Sequence, residues 1–195
     1  HVLEGHGLRY GSRGSVSAAA FSPDGQTIIT TAKDETARIW EVTTGRALQV
    51  LTARAVNISR AAFSPDGKAI VTTSGEAGPL GRLFDDDVDT IARIWEVATG
   101  RALLVLQGHE GAVYGAHFSP DGKTIVTASG DKTARIWEVS TGKELHVLNG
   151  HEALVDHAAF SPDGKTIVTA SSYDGTARTW EVANGRVHHV LDGPS

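Results

Sequence analysis

The sequence predicts an all-β fold of four consecutive four-stranded antiparallel units, and a fourfold internal repeat is what predicts it. The phrase Phe-Ser-Pro-Asp-Gly begins at Phe21, Phe63, Phe118 and Phe160. A second phrase, close to Thr-Ala-Arg-Ile-Trp-Glu-Val, follows each copy and places Trp40, Trp95, Trp137 and Trp180. The phenylalanines lie 42, 55 and 42 residues apart. A period of this length that survives an insertion marks a repeat architecture. The repeated residues supply a scaffold, and the departures from the repeat supply the site.

The cleanest copy runs from His109 to Leu148. Residues 113–118 are a short apolar-rich strand ending at Ser119, Pro120, Asp121 and Gly122. Pro120 presets its backbone angle and Gly122 accepts a positive one, so this is a tight hairpin turn. Residues 124–129 are rich in β-branched side chains and form the returning strand. After a turn at 130–132, residues 133–139 form a third strand with Ile136 on one parity and Trp137 and Val139 on the other. A strand apolar on both parities is buried on both faces. Residues 144–148 follow the Thr141-Gly142 turn with weaker patterning, as an outer edge strand does. Such a sheet needs cover on both faces, and radial stacking of several copies supplies it.

Gly108-His109, Asp131 and Ile136-Trp137-Glu138 resemble the WD40 repeat of β-propellers, in the wording common among bacterial members. The resemblance covers nearly the whole chain, with repeats at about 6–51, 54–106, 109–148 and 151–192 and an extra outer strand at 1–5. The usual Trp-Asp ending reads Trp-Glu in every copy, at Glu41, Glu96, Glu138 and Glu181. The resemblance implies a hydrogen-bonded tetrad of His109, Thr127, Asp131 and Trp137, running from the indole N–H through Thr and His to the carboxylate. It recurs as His151, Thr169, Asp174 and Trp180, and as His6, Thr30, Asp34 and Trp40. In repeat two Arg54 aligns with the histidine, beside Thr72, Asp89 and Trp95. His, Asp and a hydroxyl also compose a catalytic triad. An active site has no reason to recur once per blade, so the set reads as a buried staple.

Length variation is confined to particular loops. From the His position to the Phe is nine residues in three copies but fifteen in the first, between His6 and Phe21. Repeat two carries thirteen extra residues between Ser74 and Asp89, and repeat four a single one near Tyr173. In antiparallel blades these loops all emerge at one end, opposite the turns whose lengths never change. That end is the candidate binding face, since loops on a rigid scaffold commonly carry binding. Its candidate residues include Arg9 and Tyr10 in the first insertion and Phe84, Asp85 and Asp86 in the second. The acidic run at 85–89 lacks the alternate-residue spacing of a calcium loop and reads as a solvated loop facing a basic partner. The first strands add Arg60, Tyr114, Asp156 and His157, which vary where their neighbours do not. The resemblance places them near the mouth of the central channel, as a mixed polar rim suited to a protein or peptide.

Bulk properties narrow the function. A formal charge of -5 gives no basic footprint for nucleic acid. No run approaches the roughly 18 apolar residues of a membrane span. The chain has no cysteine, which excludes thiol chemistry and gives a cytoplasmic expectation. No phosphate loop, zinc spacing or nucleophile elbow occurs, so no cofactor or metal is expected. Absence of Met, even at position 1, leads to the expectation of a processed product or a piece of something longer. The reading is a non-catalytic scaffold for a protein or peptide partner. The alternative is an enzyme or small-ligand binder using the central channel. Residues 1–5 match 146–150, so five outer strands accompany four inner sets. The surplus strand predicts an open array, closed to eight blades by a second copy joined head to tail in a homodimer.

Overall fold

The computed structural model describes residues 3, 5–7, 15–53, 58–75 and 90–193. Among these, sixteen strands form four separate sheets, each antiparallel and paired in chain order. The first sheet contains β1 (Val16–Phe21), β2 (Thr27–Ala32), β3 (Thr36–Glu41) and β4 (Ala47–Thr52). The second contains β5 (Arg60–Phe63), β6 (Ala69–Thr73), β7 (Ala92–Glu96) and β8 (Ala102–Leu106). The third contains β9 (Val113–Phe118), β10 (Thr124–Ser129), β11 (Thr133–Glu138) and β12 (Glu144–Asn149). The fourth contains β13 (His157–Phe160), β14 (Thr166–Ser171), β15 (Thr176–Glu181) and β16 (Val187–Asp192). Leu3 and Gly5 lie in no strand, and the rest of the fifth outer strand expected at 1–5 falls outside the described residues.

Local chemistry sets the turns. Ser119 Oγ donates to Asp121 Oδ1 at 2.6 Å and accepts the Thr124 N–H at 3.0 Å, while Gly122 takes a φ of 71°. The same bonds recur from Ser22, Ser64 and Ser161. At the turn between third and fourth strands, the Glu of Trp-Glu accepts a hydrogen bond from the side chain three residues on. Thr99 donates to Glu96 and Thr141 to Glu138, each at 2.5 Å, and Thr44 donates to Glu41. One backbone bond ties the two turns together in each sheet, as Val139 N–H donates to the Lys123 carbonyl at 2.9 Å. The turns of constant length therefore share one end of the molecule.

Each sheet has a forward face toward the next sheet and a rear face toward the previous one. Ile29, Ala37, Ile39 and Leu51 of the first sheet pack on Ile58, Ile70 and Trp95. Val71, Ala92, Ile94 and Leu106 pack on Val113, Ile125 and Trp137 in the same way. Val126, Ala134, Ile136 and Leu148 complete the set against Val155, Ile167 and Trp180. The first strands stand side by side as an inner wall, β1 against β5, β5 against β9, and β9 against β13. Among the described residues no comparable packing joins β13 back to β1. Among the described residues the four sheets form an open array whose first and last sheets each leave one face uncovered. Among the described residues no helix is long and apolar enough to cross a membrane.

Candidate functional site

The loop end opposite the constant turns is fastened by side chains. Trp137 Nε1–H donates to Thr127 Oγ1 at 2.8 Å, Thr127 Oγ1 meets His109 Nε2 at 2.7 Å, and His109 Nδ1 lies 2.7 Å from Asp131 Oδ2. A carboxylate only accepts, so Nδ1 carries the proton and Nε2 is left to accept from the Thr hydroxyl. The fourth sheet repeats the chain through Trp180, Thr169, His151 and Asp174 at 2.9, 2.8 and 2.8 Å. The first repeats it through Trp40, Thr30, His6 and Asp34 at 2.8, 2.7 and 3.0 Å. In the second, Trp95 donates to Thr72 at 2.8 Å, while Arg54 and Asp89 lie outside the described residues. Gly108 precedes this histidine for a steric reason, since a Cβ there would meet Arg135 Nη1 at 3.0 Å and the Trp137 ring at 3.1 Å.

The aspartates of these chains are held ionised. Burial pushes the Asp131 carboxyl up, but hydrogen bonds from His109, Thr133 and the Glu110 N–H outweigh it and leave the group well below the usual range. Asp174 behaves likewise, with burial opposed by Thr176, His151 and the Glu152 N–H. In the three described Trp–Thr–His–Asp sets every side-chain polar atom thus has a partner within the same repeat. The geometry is that of a fastening rather than of a nucleophile with its base.

The inner wall is where the copies differ. Arg60 opens β5 and His157 opens β13, at the repeat position filled by Ala18 and Gly115 elsewhere. Tyr114 and Asp156 stand one residue earlier. Although His117 keeps much of its surface exposed, desolvation of its ring by neighbouring protein lowers its pKa, and the charges of Arg60 and His157 lower it further. Burial raises the Tyr114 hydroxyl, and Asp156 and Tyr173 raise it further. These electrostatic couplings link Arg60 and His157 through His117, and Tyr114 with Asp156 and Tyr173. Asp156 Oδ2 accepts both the N–H and the hydroxyl of Ser172, each at 2.6 Å, which fixes the carboxylate against the turn after β14. Arg60 and His157 are exposed.

His117 belongs to this neighbourhood but was not among the residues the sequence pointed to, and Tyr173, which marked the length variation of repeat four, joins it through its charge coupling to Tyr114. The signal for His117 is the alignment of the copies, where Ala20, Ala62 and Ala159 hold its position. Tyr173 is the extra residue of repeat four and is exposed. Arg9, Tyr10, Phe84, Asp85 and Asp86 lie outside the described residues. Among the described residues no group of three or more His, Asp or Glu is placed to hold a metal ion. A cavity of about 540 Å³ opens beside this rim, between Asp156, His157, Ala170, Ala177 and Leu191.

Comparison with known proteins agrees with the repeat. The family described as "WD domain, G-beta repeat" matches residues 1–41, 100–138 and 142–181. The unmatched stretch contains most of repeat two, with Arg54 in the histidine position and the long insertion. A guanine nucleotide-binding protein subunit beta of Oryza sativa subsp. indica is 29% identical over 143 residues, covering 68% of this chain and 32% of the relative. The subunit beta-1 of Nicotiana tabacum is 32% identical over 134 residues, covering 63% and 31%. The chain thus spans about a third of the length of the curated relatives it matches. With the family model matching more than half of its residues, the chain belongs to the WD40-repeat family.

Proposed function

We propose that this chain is a non-catalytic scaffold that binds a protein or peptide at its loop end, around the channel mouth. One observation carries the reading. Arg60, Tyr114, His117, Asp156 and His157 are chemically different side chains at positions where the copies otherwise hold small residues, and all lie on the inner wall. A cationic and aromatic rim around a fixed carboxylate suits a peptide better than a small apolar ligand. The length differences between copies, at 7–15 and 75–87, fall in sequence within the connections that enter and leave strands at this end. The relatives are named as subunits, which fits a protein that works by contact. A cytoplasmic setting and a partner other than nucleic acid or membrane complete the reading, and a second copy closes the open array to an eight-bladed ring.

Selection of peptides from a random display library against the chain tests the binding reading. Selected peptides should lose roughly tenfold or more in affinity for an Arg60→Ala, His157→Ala double variant. Deleting residues 75–87 should weaken binding as well. Undiminished affinity for both variants would refute the loop-end site. Ring closure is a separate matter, read from solution mass: twice 20.5 kDa for the pair, or 20.5 kDa for an open single chain.

A further inference from the structure

Each seated junction in the array has one knob and one socket. The knob is the β-branched residue five positions before the Phe of the repeat: Ile58, Val113 and Val155. All three are buried to 1% exposure or less. The socket belongs to the preceding sheet and is walled by an Ala of the third strand and the last Leu of the fourth. Its three filled copies are Ala37 with Leu51, Ala92 with Leu106, and Ala134 with Leu148, and each of these residues is at most 1% exposed. The fourth knob and the fourth socket are both present but apart. Val16 has the knob position and is 56% exposed. Ala177 and Leu191 have the socket position, Leu191 is 52% exposed, and the cavity of about 540 Å³ lies between them.

We infer that this cavity is a binding socket for the Val16 side chain of a second copy of the chain. The inference rests on the reading that a second copy closes the ring, and it says which residues make the closure. The same chain carries both halves, and three internal junctions show what fills them. Around the knob, Ala19, Phe21 and Ile28 repeat the rear-face positions that Ala116, Phe118 and Ile125 fill at the junction of the second and third sheets. Around the socket, Val168 repeats Val126 and is exposed. One position departs: Thr179 stands where Ile39, Ile94 and Ile136 are buried. The closing junction is therefore less apolar than the others and the first to part on dilution. In a two-fold pair the knob of each copy enters the socket of the other, so both contacts are heterologous and identical.

A charge-swap mixture tests this. Val16→Lys and Leu191→Asp each place a charge in both junctions of a homodimer. Both residues are largely exposed in the single chain, so neither change removes a packed core contact, and a circular-dichroism melt verifies folding. Each variant alone should run as a 20.5 kDa monomer where the parent chain runs at twice that mass. Mixed in equal amounts, the two should recover a heterodimer, with one native junction and one Lys–Asp pair. A parent chain that is monomeric would overturn ring closure and the inference together. A dimeric parent whose Val16→Lys variant stays dimeric, or a mixture that stays monomeric, would overturn the socket alone.

Discussion

Asp131 accepts from His109 Nδ1, from the N–H groups of Glu110 and Thr133, and from the Thr133 hydroxyl. Replacing it by Ala would strand these donors around a buried site. Each buried donor left unpaired costs about 1–3 kcal/mol, and 1 kcal/mol is worth roughly 2–4 °C at this size. A melt of Asp131→Ala should therefore show a Tm lower by several degrees, and an unchanged Tm would deny the fastening role. The depressed carboxyls of Asp131 and Asp174 also fix the sign of the pH dependence. Their folded pKa lies below the ordinary aspartate value, so their stabilisation is fully present above the ordinary carboxylate range and is lost as pH falls through it toward the depressed folded pKa. Thermal melts between pH 6 and pH 2 should decline on the acid side, with a shallower slope for Asp131→Asn. The role of the Trp-Glu ending also belongs to this scale. A Glu reaches the hydroxyl three residues ahead and caps the turn at Thr99 and Thr141, and nothing in the sequence signals that contact.

At the scale of the element, strand positions were legible because each signal was local and repeated. In the cleanest copy β9 and β10 fall on the expected residues, and β11 and β12 differ by one at an end, since turn chemistry and β-branching bracket each strand. The Ser-Pro-Asp-Gly turn depends on its glycine, which holds φ near 70° in every copy. An L side chain in that region costs about 1–2 kcal/mol, so Gly122→Ala should lower the urea midpoint while leaving the m-value unchanged. A parent-like midpoint would show that the turn relaxes freely. The candidate site was only partly legible. Arg60, Tyr114 and His157 announce themselves as departures within first strands, and Asp156 as one just before β13. The pairing of Asp156 with Ser172 joins the residue leading into β13 to the turn after β14, and no periodicity encodes a contact of that kind.

For the whole molecule, the uncovered end faces dominate. Phe21 is 64% exposed on the rear of the first sheet, whereas its counterparts Phe63, Phe118 and Phe160 are partly buried against the core shared with the preceding sheet. Counting repeats indicates an open array but does not tell which side chains are left bare, because that depends on which face of each strand points forward. If a second copy covers these faces, stability includes an association term, and Tm should rise with protein concentration. Scanning calorimetry over a hundredfold range of concentration would show it; a constant Tm would mean that the single chain carries all of its own stability.

The junction described between consecutive sheets uses the same few side chains each time, and so it contains almost no address. A contact that any copy can make with any other closes a ring only when the turn per sheet divides the circle; otherwise the same contact propagates as a filament. Thr179, which stands where the other three sheets bury an Ile, then gains a second meaning. By leaving the closing contact less apolar than the internal ones it keeps the pair reversible, and Thr179→Ile should lower the concentration at which light scattering shows the pair to dissociate.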